Sequence, residues 1–284
     1  MTDQIDEFES MFRRAERQPF GYADIPINSV AVVGDEHHAD LAAVRRQLLE
    51  FMPRLRETEN WRLIGSDDYR SVSDLLTVID EQQLDLVVTW RHLGEARGIP
   101  PFSLGSVLDV LTQATTIPVL VLPESAGARW VEVGNDCNRV MVVTDHISGD
   151  QRLVNYGARF CSLGGSVWLG HIEDEEVLER YLDAIERIPQ IVSSEAREWI
   201  TAQLLKDASD YITTCRNVLR EDGPNLASHE VVRCGRLLKV LRELIDEQEI
   251  DLLIANTKDA GQMAMHGVAH SMAVEFVDVA LLLL

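Results

Sequence analysis

"LDLVVTWRHLGEARGIPPFSLGSVLDVLTQATTIPVLVLP", Leu84 to Pro123, is the stretch on which the fold turns. It begins with a continuous apolar strand, "LDLVVTW". A polar turn follows, then a helical segment over 104–114, then a second apolar strand, "IPVLVLP" (117–123). Strands without polar alternation are buried on both faces, and an intervening helix makes the pair parallel.

The same alternation extends outward in both directions. "SVAVV" (29–33) predicts a strand and "HADLAAVRRQLLEFM" (38–52) a helix, with Leu41, Val44, Leu48 and Met52 on one side. "WRLIG" predicts a strand and 71–83 a helix. Upstream, residues 3–17 place Ile5, Phe8, Met11 and Phe12 at helical spacing, ahead of a loop, "PFGYADIP". Downstream, "ESAGARWVEVGNDCN" (124–138) breaks the rhythm and reads as a linker. The order then restarts: strand 139–145, helix 149–163, strand 166–173, about 50 helical residues, a strand within 223–235, helix 236–249, strand "DLLIANT", helix 267–277 and the strand "VALLLL".

The second series repeats the first. "DEQQLDLVV" (80–88) matches "DEQEIDLLI" (246–254), and 104–122 matches 266–284. Val30 corresponds to Val140, an offset of 110. Asp85 corresponds to Asp251, an offset of 166, so the first copy is 56 residues shorter between these points. The shortfall is expected to be "SVWLGHIE" and the helices after it. The fold class is therefore α/β, with two doubly wound, Rossmann-like parallel-sheet repeats. Residues 1–28 form a helix and loop, 29–123 the shortened first repeat, 124–138 the linker, and 139–284 the second repeat with a helical insertion at about 174–222.

Charge narrows the function classes. The chain has 284 residues, with 26 Lys and Arg against 47 Asp and Glu, a formal net charge of −21. A nucleic-acid backbone or an anionic membrane surface needs clustered cations, and none are clustered here. Four cysteines without a C-x-x-C pair fit a reducing cytoplasm. "MTDQIDEFESMF" is unlike a signal peptide, and "VALLLL" is too short to span a bilayer.

The strand, polar turn, Gly-Ser, helix and "PVLVL" of 84–123 resemble the universal stress protein family. "RVMVVTDHISGD" and "IDLLIANT…HGVAHSM…VALLLL" resemble it more weakly. The resemblance covers roughly 29–123 and 139–284. It implies a tandem chain whose repeats pair as an intramolecular pseudo-dimer, with a homodimer as a further level. It also implies one of two behaviours, since some members bind ATP through a glycine loop and others lack the loop.

That loop is altered in both copies. Glycines let a backbone approach a phosphate, and successive N–H groups at a helix start meet the anion. In the second copy Asn256 and Asp259 stand where glycines are implied, Val268 where Ser or Thr is implied, and only Gly267 remains. Seven residues separate Asp259 from Gly267, where the family has nine. In the first copy Gly105 and Ser106 survive as a remnant, but eleven residues (94–104) precede them, including Pro100 and Pro101. A nucleotide in the second copy would have Thr144, Asp145, Asn256, Thr257, Lys258, Gly267 and Val268 around it. Asp145 ends a strand where the family places an acidic residue on the adenosine; it is equally an ordinary helix cap. The first copy has Gly34-Asp35 there.

Other motifs carry less. His266 and His270 share a helical face and His171 leads "HIEDEE", but spacing assigns no third metal ligand. No nucleophile elbow or Walker loop is present. Trp168 and Trp199 read as packing residues. In the insertion, Val177, Tyr181 and Ile185 form one stripe, and Ile200, Leu204, Tyr211, Cys215 and Val218 another. The leading expectation is a non-enzymatic cytoplasmic regulatory protein that acts on a protein partner. The alternative is a sensor of ATP or AMP through the second repeat, with no other cofactor and no metal.

Overall fold

The computed structural model describes residues 19–38, 40–95, 103–124, 128–144, 147, 149–186, 193–257 and 267–284. The helix expected over 3–17 lies outside them. Among the described residues nine strands form one sheet: β1 (Ser29–Val33), β2 (Asn60–Ile64), β3 (Leu86–Trp90), β4 (Val119–Leu122), β5 (Arg139–Thr144), β6 (Ser166–Asp174), β7 (Ala227–Gly235), β8 (Leu252–Ala255) and β9 (Ala280–Leu283). Their order is β2-β1-β3-β4-β9-β8-β5-β6-β7. Every neighbouring pair is parallel except β4 with β9, where Val119 faces Leu283 and Val121 faces Leu281 in antiparallel register. The two repeats are thus the two halves of a continuous sheet, joined through their closing strands.

Helices cover both faces. On one side lie α1 (Leu41–Phe51), α4 (Gln151–Phe160) and α6 (Ser193–Asp222), packed over Val30, Val32, Val140, Val142 and Leu169. On the other lie α2 (Val72–Asp80), α3 (Ser106–Ala114), α7 (Leu237–Gln248) and α8 (Gly267–Glu275), over Ala31, Val33, Met141 and Leu253. Successive strand residues alternate between the two cores, as the pleat requires. α5 (Glu175–Glu186) precedes α6. Among the described residues three helices begin with side-chain caps: Asp40 accepts from Ala43 N (2.8 Å), Ser71 from Asp74 N (3.1 Å) and Asp150 from Leu153 N (2.9 Å).

Three sequence expectations need correction. β2 lies beside β1 as β6 lies beside β5, so "SVWLGHIE" does have a first-half counterpart. The surplus in the second half is α5, α6 and the edge strand β7. Trp199 is 75% exposed, so it is not a packing residue in the described structure. Tyr181 is 48% exposed; α5 buries Leu178 and Leu182 instead, one residue further round the helix. The expected linker makes contacts of its own. Trp130 is buried and donates to Pro123 O (2.9 Å), and Cys137 N donates to Phe51 O (2.6 Å).

Polar side chains also bolt the halves together. The fully buried Asp251, just before β8, accepts from Arg129 Nε (2.6 Å), Asn135 Nδ2 (3.3 Å) and Arg139 N (3.0 Å). Asp85, its first-half counterpart, accepts from Asn28 N (2.8 Å) and Ser29 N (3.0 Å). Residues 19–28 form a strap from α4 to the first half. Asn155 holds Gly21 O and Ala23 N (both 3.3 Å), Arg159 holds Ile25 O (2.8 Å), and Thr58 holds Ile27 O (2.7 Å).

Candidate functional site

A doubly wound sheet takes ligands at the carboxyl ends of its strands, where the connections diverge to opposite sides. Here there are two such points, between β1 and β3 and between β5 and β8.

The first is filled by the chain itself. Asp35 follows β1 and is buried. Its Oδ2 accepts from Gly94 N beyond β3 (2.8 Å), and its Oδ1 from His37 N (2.9 Å), His38 N (3.2 Å) and His38 Nδ1 (2.8 Å). Burial alone would raise its pKa, but the Gly94 amide and the His38 ring outweigh it and hold the carboxyl below its ordinary range. The His38 ring lies flat on Trp90, with centroids 4.0 Å apart.

Beside this cluster, the start of α3 already carries an anion. Ser106 N donates to Glu95 Oε1 (2.7 Å), and His92 Nδ1 lies 3.1 Å from Glu95 Oε2. The Ser106 amide is the main reason the Glu95 carboxyl is held below its usual range. A carboxylate here gains from the unpaired amides of the first turn, as a phosphate would. Gly105 permits the arrangement. Its φ is +83°, and a Cβ there would lie 2.6 Å from His92 Cα, while His92 N donates to Leu104 O (2.9 Å). Gly105 and Ser106 therefore do stand at a helix start, but Glu95 fills the position. Glu95 carries no signal in the sequence, because its partner is eleven residues away with no periodic pattern between them.

The second point is arranged differently. Thr144 ends β5 and pairs in register with His171 of β6. Asn256 Nδ2 donates to Asp150 Oδ2 across the gap between β8 and the start of α4. Thr257 is committed elsewhere: its N and Oγ1 both donate to Leu284 O, at 2.8 and 2.6 Å. Gly267 begins α8, with Val268 next. Asp145 and Lys258 lie outside the described residues, as do residues 259–266, His266 among them. Among the predicted residues the structure thus brings Thr144 and Asn256 to the edge, but turns Thr257 towards the carboxyl end of β9.

His171 is the residue that sequence reasoning undervalued. It is 6% exposed, and neither ring nitrogen makes a hydrogen bond. Glu173 Oε2 lies 3.4 Å from Nε2, within ion-pair range but poorly aligned. Tyr211 of α6 reaches the same edge, beside Gly149 and Asp150, and burial pushes its phenol well up. The carboxylates at this edge, Asp150 and Glu173, give it an acidic character that disfavours a polyphosphate. His270 is exposed. Among the described residues no three His, Cys, Asp or Glu side chains are placed to hold a metal, and no helix is long and apolar enough to cross a membrane.

No protein-family model matches the chain, and no curated protein matches it. Solved structures do. A functionally unknown protein from Pseudomonas aeruginosa PAO1 aligns with a TM-score of 0.50 at 13% identity, over 91% of this chain and 92% of that one. A putative universal stress protein from Pseudomonas aeruginosa UCBPP-PA14 aligns at 0.49 and 13% identity, over 91% and 93%. A universal stress protein from Archaeoglobus fulgidus DSM 4304 aligns at 0.46 and 13%, over 90% and 87%. The first of these likenesses supports a shared fold along nearly the whole chain.

Proposed function

We propose that this chain is a universal stress protein-like regulatory protein of the cytoplasm that works through a protein partner, without turnover and without a bound nucleotide. The observation that carries the reading is the Glu95 carboxylate on the Ser106 amide at 2.7 Å. An anion site already satisfied from within the chain has little to gain from an external phosphate. The second half supports the reading too, since Thr257 N and Oγ1 serve Leu284 O and so fasten β8 to the end of β9.

The alternative is an adenine-nucleotide sensor in the second half. Asn256 and the unmatched His171 ring at the carboxyl edge favour it. Calorimetric titration of the full chain with ATP and with AMP, each with Mg²⁺, separates the two. The interaction reading expects no saturable heat. Saturable binding that Asn256→Ala abolishes would replace it with the sensor.

A further inference from the structure

The two edges of the sheet are finished differently. β7 ends it on one side, where Arg216 Nε of α6 donates to Ser228 O (3.0 Å). β2 ends it on the other. Within β2 the even-numbered residues face β1: Asn60 N donates to Asn28 O (3.0 Å), and Ile64 O accepts from Gly34 N (2.9 Å). Successive strand residues turn their N–H and C=O to opposite sides, so Trp61 and Leu63 turn theirs outward. Gly65 closes the strand, since its N donates to Asp68 Oδ2 (2.7 Å) and its O accepts from Asp68 N (3.0 Å). Among the described residues the main-chain groups of Trp61 and Leu63 meet no hydrogen-bond partner on that side. Such an edge is a template for another strand.

The side chains decide which strand it suits. Trp61 and Leu63 share a face, in register with Val30 and Val32; Trp61 is half-buried and Leu63 is 40% exposed. Arg62 stands exposed on the opposite face, in register with Ala31. The Arg45 guanidinium of α1 lies 5.2 Å from the centre of the Trp61 ring. Arg45, Arg46, Arg62 and Arg70 are all exposed, and among the described residues none of them has a carboxylate within ion-pair distance. In the second half Arg139, Arg197, Arg216, Arg236 and Arg242 each have one. In a chain of formal net charge −21, unpaired positive charge thus collects around one open edge. The carboxylates nearest in sequence, Glu59, Asp67 and Asp68, stand beyond the two ends of β2 rather than along it.

We propose that β2 is a docking edge for an extended segment of a partner protein in which apolar and acidic residues alternate. The segment adds as a further strand. Its main chain bonds to Trp61 and Leu63, its apolar side chains lie beside theirs, and its carboxylates meet Arg62. A second copy of this chain fits the edge less well. The antiparallel register that pairs Trp61 with Leu63 of a second copy sets Arg62 against Arg62, and like charges directly opposite are destabilising. The proposal gives a partner chemistry to the interaction reading above and rests on it.

The probe is a synthetic peptide of alternating valine and glutamate, titrated to millimolar concentration into the isotope-labelled full chain. Nuclear magnetic resonance should show saturable shifts at the Trp61 and Leu63 amides, and their hydrogen exchange should slow as peptide is added. A peptide of alternating valine and lysine should move neither. Arg62→Glu should weaken binding about fivefold or more. Leu63→Pro deletes an outward N–H and spares the ladder to β1, a substitution that an edge strand tolerates, and should abolish binding. The proposal is overturned by an acidic peptide that leaves both amides unmoved, by equal binding of the lysine peptide, or by variants that bind as tightly as the unaltered chain. It is also overturned if both amides exchange slowly before peptide is added, which would show the edge covered by the chain itself or by a second copy. Nucleotide is absent throughout, so such a failure strikes β2 alone and leaves the interaction reading to the nucleotide titration.

Discussion

The two carboxyl edges of the sheet are built from matching strands but spend their polar groups differently. At the first-half edge Asp35 and Glu95 collect backbone amides, and the His38 ring is both bonded and stacked. At the second-half edge Asp150 and Asn256 bond to each other, while the His171 ring is enclosed without a hydrogen bond. The first edge is therefore finished as structure. The second retains unmet hydrogen-bonding capacity, which is where either a ligand or a tolerated imperfection resides. Duplicated halves can thus divide the work, one keeping the fold closed and the other remaining open to change.

The largest test of this asymmetry concerns the buttress before β8. Asp251→Ala removes a buried carboxylate that three donors depend on, and should lower unfolding free energy by about 3–5 kcal/mol in urea titration. Asp85→Ala, with two amide donors, should cost about 1 kcal/mol. Equal losses would mean that the halves are anchored alike. Next comes Arg91, buried with its guanidinium donating to Ala273 O (2.8 Å) and Phe276 O (2.9 Å), which burial lowers to a pKa of about 10. Arg91→Ala strands two carbonyls at the end of α8 and should cost about 2–3 kcal/mol by the same titration.

A smaller effect carries a pH signature. Glu95→Gln should lose about 1 kcal/mol at neutral pH, because a charge leaves the start of α3. The folded pKa of Glu95 lies below its unfolded value, so its stabilisation is present above the unfolded value and fades as pH falls through the folded one. Thermal melts of the two proteins should therefore converge in acid, and a constant gap would rule out the charge as the cause. The smallest effect is expected at His171. Replacement by Leu removes a ring that makes no hydrogen bond and only a 3.4 Å approach to Glu173, and should change stability by less than about 1 kcal/mol. A loss of several kcal/mol would show that the ring is satisfied after all, and that the edges differ less than described.

Much of this architecture is legible in the sequence, for a physical reason. Strands such as Val30–Val33 and Leu252–Ala255 are buried on both faces, so they stand out as apolar runs between amphipathic helices. The edge strand β7 is harder to place within 223–235, because half of it faces solvent and reads as polar. The closed first edge is not legible at all. Asp35 meets Gly94 across 59 residues, and Glu95 meets Ser106 across a stretch of sequence with no periodic pattern. Nor does composition reveal that Cys137 is bolted down, since that depends on its amide finding Phe51 O far away in sequence. Local periodicity reports burial; it does not report which distant amide a carboxylate will choose.

The position of β9 sets a timetable for synthesis. Residues 280–283 occupy the middle of the sheet, between β4 and β8, although they leave the ribosome after every other strand. Until they emerge, the nascent chain carries two bare strand edges, each able to pair with a neighbour. The first half, formed early, waits beside its own unfinished seam while the second is still being made. A deletion of β9 should therefore harm yield far more than a deletion of β2 or β7, which lie at the edges of the sheet.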